Sequence, residues 1–346
     1  MSVLKRAQPL LVILVVGLWP SAAAAQRFPW KQHLKQPDSW FAGAEAKQIA
    51  ANVLSHQSPA GSWPKNIDTG AKPYQGDPKA LKGTFDNDAT MGEVRFLTRM
   101  YATNGDAAYR AAVLKGLAHV LEAQYPSGGW PQQHPPPKSY HRHITFNDNA
   151  MVNIMHLVRD LSRAKEFEFV AKDGRAAAAK AFQRGIECIV RCQIVVKGQP
   201  TAWCAQHDEK TLEPRLGRSY EHPSISGGES SGVLLLLMSL EEPGPDVVKA
   251  VHAGCRWYDA VKLTGIKVVK KGGDRIVVKD VAAPPLWARF YEIGTNKPIF
   301  SGRDGVIKYD LAEIEAERRN GYAWYGNWGQ AVLERYAVWS KKYPPG

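Results

Sequence analysis

The sequence predicts an all-α fold, an (α/α)3-type toroid carrying a small β excursion. Three observations lead there: a repeat that closes helices on a Gly-Trp-Pro loop, a polar patch after each copy, and one interval where the periodicity changes. The repeat is carried by Leu54, Gln57, Gly61, Trp63 and Pro64, which recur as Leu121, Gln124, Gly128, Trp130 and Pro131. A looser copy runs from Cys192 and Gln193 to Trp203, with a few residues inserted. Each copy ends an amphipathic run, at 44–56, 107–124 and 176–192. Proline and glycine stop such runs, because proline removes a backbone donor and glycine tolerates the turn that leaves a helix. A helical unit repeated in this way buries its apolar face against its neighbours rather than alone.

Each loop leads through a polar patch into another helix. Phe85, Asp86, Asn87, Asp88, Ala89 and Thr90 precede 91–101, and Phe146, Asn147, Asp148, Asn149 and Ala150 precede 151–161. The third patch, 222–229, precedes 230–240, and a final helix pair is expected at 246–261 and 325–341. Such repeats put one set of loops at one end of the ring, so the three patches should converge there. Between 266 and 299 the pattern shifts to short alternating runs (266–269, 276–278), the signature of strands.

The chain start reads as a secretory leader. Lys5 and Arg6 precede an apolar stretch at 9–19, and Ser21 and four alanines ending at Ala25 follow. The expected organisation is therefore a leader over 1–25, cut near Ala25, and one domain over 26–346, exported to the periplasm or the medium as a monomer. The leader is too short to span a bilayer, and no later stretch is longer, so no membrane partner is expected. Net charge is +12, and +10 without Lys5 and Arg6. An exported basic protein meets anionic polysaccharide or lipid more often than nucleic acid, although charge alone does not choose between partners and solubility. Cys188, Cys192, Cys204 and Cys255 allow one or two disulfides in three full pairings; with no CxxC pair or His cluster, structural zinc is not expected.

Loops rich in Asp, Asn, Trp and Arg suit a sugar cleft. Trp63 and Trp130 have two readings of equal weight, stacking on pyranose rings or plugging the loop against the toroid. Asp86 and Asp148 are taken to stand at the same place in consecutive repeats. They could be an acid–base pair, oxygen ligands of a hard cation such as calcium, or helix N-caps. Arg215, Arg218, Arg289 and Arg303 stand among polar or aromatic neighbours, and a guanidinium matches a carboxylate bidentately. His134, His141 and His143 share a proline-rich loop without helical spacing, and substrate contact is expected of them before metal ligation.

Taken in order, these segments resemble the catalytic module of family 10 pectate lyases over about 42–339. The motifs are Gly61 to Lys65, 85–90, 124–132, 146–151, 218–226, 287–292, 301–305 and Trp324 to Trp328. The resemblance implies calcium-assisted β-elimination on polygalacturonate, an acidic polysaccharide, on an (α/α)3-type toroid. It implies that Asp86 and Asn87 bind substrate and that Asp86 shares the metal. It makes Asp148 the main calcium ligand, Arg218 and Arg289 readers of uronate carboxylates, and Arg303 the residue that removes the C5 proton. The family carries glycine where this chain has Asp88, which leaves calcium stoichiometry open. Two other readings stand beside this one: an inverting glycoside hydrolase using Asp86 and Asp148, and a non-catalytic polysaccharide-binding protein.

Overall fold

A computed structural model describes residues 27–345. The leader expected over 1–25 lies outside the described residues. Four helices form an outer layer: α1 (Ala44–Ser55), α3 (Ala107–Glu122), α5 (Lys172–Arg191) and α7 (Pro245–Ala260). Four alternate with them along the chain and form the inner layer: α2 (Met91–Asn104), α4 (Ala150–Arg163), α6 (Glu229–Leu237) and α8 (Trp328–Lys342). The hairpins α2/α3, α4/α5 and α6/α7 are the three α/α units, flanked by α1 and α8, and each layer packs helix to successive helix. None of the described helices is long and apolar enough to cross a membrane.

The repeat has a physical basis that is the same in every copy. The indole N–H of Trp63 donates to Val53 O, of Trp130 to Val120 O, of Trp203 to Ile189 O, and of Trp287 to Tyr258 O, at 2.7–2.9 Å. Each acceptor lies two residues before the end of its outer helix, among the carbonyls that helix geometry leaves unpaired. Trp63, Trp130, Trp203 and Trp287 are all fully buried, so the plugging reading holds and sugar stacking by Trp63 and Trp130 is corrected. Their large rings are committed to the core.

A glutamine links each turn to the next. Gln57 donates to Gly61 O and Ala112 O, Gln124 to Gly128 O and Ala181 O, and Gln193 to Thr201 O and Ala250 O. In each case the second acceptor belongs to the following outer helix. The close approach requires glycine: Gly61 and Gly128 have φ of +101° and +99°, and a Cβ there would collide with the carbonyls of Lys115 and Arg184.

The β excursion is present. Strands β1 (Ile266–Lys271) and β2 (Asp274–Lys279) form an antiparallel hairpin closed by Gly272 and Gly273, both at positive φ. The remaining ladders are two residues long. A satellite core of Tyr220, Phe290, Phe300 and Trp324 ties the segments beyond the helices together. The disulfide expectation is corrected: all four cysteines are buried and free, with Cys188 and Cys192 a turn apart on α5 and their Sγ atoms 4.0 Å apart.

The start of α2 is held by a carboxyl under the first polar patch. Glu93 accepts the Thr90 N–H at 2.8 Å and the Thr69 hydroxyl at 3.0 Å, while Thr90 bonds Trp63 N and Thr84 O. Burial, its largest influence, pushes the Glu93 carboxyl up to about 7, against the bonds from Thr69 and Thr90 that pull it down. The folded protein therefore keeps this proton to a higher pH than the unfolded chain. Stability from this group is greatest below about pH 4.5 and falls until about pH 7. Glu93→Gln should lessen the fall in thermal midpoint across that window; superimposable pH profiles would reject Glu93 as its source.

Candidate active site

Backbone bonds carry each polar patch to the same end of the toroid. Thr84, Thr145 and Ser226 donate their N–H to the carbonyls of Trp63, Trp130 and Trp203. The following residues, Phe85, Phe146 and Gly227, donate to Gln132, Ala205 and Arg289, each two places beyond the next tryptophan. The turn Asp86–Asp88 therefore packs on the turn Asn147–Asn149, which packs on the start of α6.

This frame corrects the register of the two aspartates. With Phe85 and Phe146 equivalent, Asp86 matches Asn147, and Asn87 matches Asp148. The backbone agrees: Asn87 (φ 56°, ψ 39°) and Asp148 (φ 50°, ψ 30°) share the left-handed conformation, which Asn and Asp tolerate best among residues with a Cβ. Asp86 and Asn147 are buried at 3% exposure, whereas the Asp148 side chain is 36% exposed. The capping reading also fails, because neither aspartate accepts an N–H from the first turn of the helix that follows.

Asp86 pairs with Lys65 through Oδ2, while its buried Oδ1 has no partner; the Asn87 Oδ1 is likewise buried and unpartnered. Asp148 accepts from the Asn147 amide at 2.8 Å and lies 3.6 Å from the Arg289 guanidinium. Unpaired carboxyl and amide oxygens beside a half-exposed carboxylate form an all-oxygen donor set that fits a hard cation such as calcium. Asp88, the departure, is already engaged: one oxygen accepts from Asn153 at 2.6 Å and the other pairs with Lys31 at 3.3 Å.

The arginines form the opposite pole. Arg289, 9% exposed, pairs with the buried Glu229, reaches Asn147 Oδ1 at 3.4 Å, and stands 4.6 Å from the Tyr322 ring centre. Arg218 lies 5.5 Å from the same ring and 5.0 Å from Tyr220, and pairs with the buried Glu221, which also accepts the Tyr322 hydroxyl. Burial works against both charges, yet Glu229, Tyr322 and Asp148 around Arg289, and Glu221, Tyr322 and Tyr220 around Arg218, hold both pKa values above the ordinary one. Burial raises the Tyr140 pKa and lowers that of His141, and both groups also feel the charges of Asp86, Arg218 and Glu221.

Arg303 stands differently. Its side chain is 64% exposed, and Nε and Nη2 both donate to Glu317 at 3.1 Å. It adjoins the cleft segment only through its carbonyl, which accepts from the Ser219 hydroxyl at 3.3 Å. Arg215 pairs with Asp208 at 3.0 Å, outside the two poles. Lys65, Glu221, Glu229 and Tyr322 were not singled out as site residues. Glu229 stood in the third patch, where its place beside Arg289 gives it meaning; Tyr322 has no local signal.

Glu229→Gln leaves the buried Arg289 without its nearest anion. Breaking such a pair costs about 2–5 kcal/mol, because the surviving charge stays desolvated. Denaturant unfolding should register that loss; a change below about 0.5 kcal/mol would show that Asp148 and Tyr322 suffice to hold Arg289.

Comparison with known proteins gives the same direction. Residues 57–333 match the family described as pectic acid lyase. A solved structure of a family 10 polysaccharide lyase from Cellvibrio cellulosa is 34% identical, with a TM-score of 0.78, over 87% of this chain and 96% of that one. An aspartate-to-alanine mutant of the Cellvibrio enzyme, in complex with trigalacturonic acid, is 32% identical, with a TM-score of 0.78, over 90% of this chain and 99% of that one. No match is found among curated proteins.

Proposed function

Because the chain belongs to the pectic acid lyase family, we propose that its cleft cleaves polygalacturonate by calcium-assisted β-elimination, giving 4,5-unsaturated products. The observation that carries this is the juxtaposition of the two poles: unpartnered oxygens at Asp86 and Asn87, with Asp148 within 3.6 Å of the buried Arg289. Trigalacturonic acid in the mutant Cellvibrio enzyme supports a uronate ligand. The apolar leader-like stretch at 9–19 supports export of the mature chain.

The chemistry assigns work to each pole. Asp148, with Asp86, would hold calcium, which when bound withdraws charge from a uronate carboxylate and makes the adjacent C5–H more acidic. Arg289 is held by Glu229 and Tyr322 at a fixed place, and its guanidinium fits a C6 carboxylate bidentately. Arg218 lies over the same tyrosine, so we assign it the C5 proton and give Arg303 a carboxylate contact at the rim. Arg303 would first have to leave Glu317. In the free protein Glu221 keeps Arg218 protonated, so proton transfer requires that pair to loosen as substrate enters. The inverting hydrolase is less favoured, because the buried cleft carboxylates Asp86, Glu221 and Glu229 are each paired with a cation and none is free to carry the acid proton.

Incubation with polygalacturonate and calcium should produce the ultraviolet absorbance of an unsaturated uronate, and a chelator should abolish it. Saturated reducing ends formed after exhaustive chelation would establish a hydrolase instead. Heavy methyl esterification should lower turnover sharply, since a neutral ester offers no bidentate partner and binds calcium poorly; equal rates on both substrates would reject the carboxylate-reading arginines. Arg218→Lys should lower kcat by about a hundredfold or more, whereas Arg303→Lys should mainly raise KM. The reverse outcome would return the proton to Arg303.

A further inference from the structure

The same loops build a second donor set of different chemistry. His143, Asp208 and Glu209 each offer one ligand atom, all within 4.8 Å of one another, and they are the one such group among the described residues. The ladder fixes two of them. Ile144 and Thr145 pair antiparallel with His207 and Gln206, so His143 and Asp208 leave the end of the ladder side by side. Glu209 follows at 9% exposure.

Two buried atoms of this group make no hydrogen bond of normal geometry. Glu209 gives Oε1 to Arg142, but its Oε2 is buried and accepts nothing. His143 Nδ1 lies 3.5 Å from that oxygen and is also buried without a hydrogen-bond partner. At 3.5 Å the two make at best a long contact when Nδ1 carries the hydrogen, and they leave two lone pairs facing each other in a desolvated space when Nε2 carries it. Asp208 is held in place by the amides of Lys210 and Thr211 at 2.9 Å and by Arg215 at 3.0 Å.

We infer that His143, Asp208 and Glu209 bind a divalent ion of the zinc class. One imidazole nitrogen with two carboxylate oxygens suits a borderline ion, whereas the all-oxygen set at Asp86, Asn87 and Asp148 suits a hard one. Arg142 and Arg215 orient the carboxylates from behind, as outer partners of metal ligands do; their charges also offset the carboxylates and weaken the hold on a dication. This reading departs from the substrate contact expected of His143. A bound ion would clasp the second polar loop to the third, three residues upstream of Phe146, whose N–H already bonds Ala205 O.

Zinc titrated calorimetrically into the full chain, with calcium in excess to occupy any hard-cation site, tests this. The unaltered protein should bind one zinc and gain thermal midpoint on binding. His143→Ala should lose that zinc, and the near-isosteric Glu209→Gln should weaken it by more than about tenfold. Far-ultraviolet circular dichroism of the Glu209 variant separates lost ligation from lost fold. Failure of the unaltered protein to bind zinc overturns the inference, as does unchanged affinity in a folded Glu209→Gln protein.

Discussion

The structure depends on one hydrogen bond made four times, from a buried indole to a carbonyl two residues before the end of an outer helix. A helix that ends inside a protein leaves carbonyls that water cannot reach, and each tryptophan satisfies one while filling the space beneath the loop. In three of the four copies a glutamine ahead of the tryptophan spends its two N–H groups on its own loop and on the next outer helix, so one turn fixes the next. From that lattice the backbone has little freedom, and residues two places after each tryptophan fall at equivalent points: Lys65, Gln132, Ala205 and Arg289. Two of these carry charge toward the cleft, Lys65 to Asp86 and Arg289 to Glu229 and Asp148.

Bare cations are what a basic chain acting on an acidic polymer would be expected to present. Instead Arg218 and Arg289 are each held by a buried carboxylate and an aromatic face. A lone guanidinium could not be buried, and an exposed one would be mobile. On the proposed roles of these arginines, an incoming uronate would share each guanidinium with a resident acid, which costs affinity. The arrangement gains geometry, because the forks are aimed before the polymer arrives and little side-chain entropy is lost on binding.

The helical frame was legible because its signals are local. Runs read at 44–56 and 246–261 lie within a residue of α1 and α7, since glycine, proline and apolar spacing mark helix ends. The polar patches were legible where each preceded a helix, and the turns that carry Asp86, Asn87 and Asp148 do pack on one another. The chemistry of partners was not legible. Arg218 and Glu221 are three residues apart, but Tyr322, which joins them to Arg289, lies 101 residues beyond Glu221, and nothing in its own neighbourhood marks it. Arg303 sits in a Gly-flanked motif that looks catalytic, yet its side chain answers to Glu317, a partner visible only once the loops are folded. The cysteines illustrate the same limit, because their number suggested bridges while all four are buried and free, two of them a turn apart on one helix.

The one-residue register shift between the patches explains why two similar motifs have different chemistry. Asp86 occupies the buried place, where a carboxylate must be neutralised, and Lys65 does so from the same repeat. Its equivalent, Asn147, needs no counter-ion; it spends its amide on Asp148 and its oxygen on Arg289. The negative charge of the second patch has thereby moved one residue outward, onto a left-handed residue that stays half exposed. The buried carboxylate of the first patch keeps one oxygen on Lys65 and leaves the other unpartnered, whereas the exposed one of the second stands beside Arg289. The repeat thus supplies one geometry, and the placement of a single aspartate within it decides which carboxylate is buried against a lysine and which stays open beside an arginine.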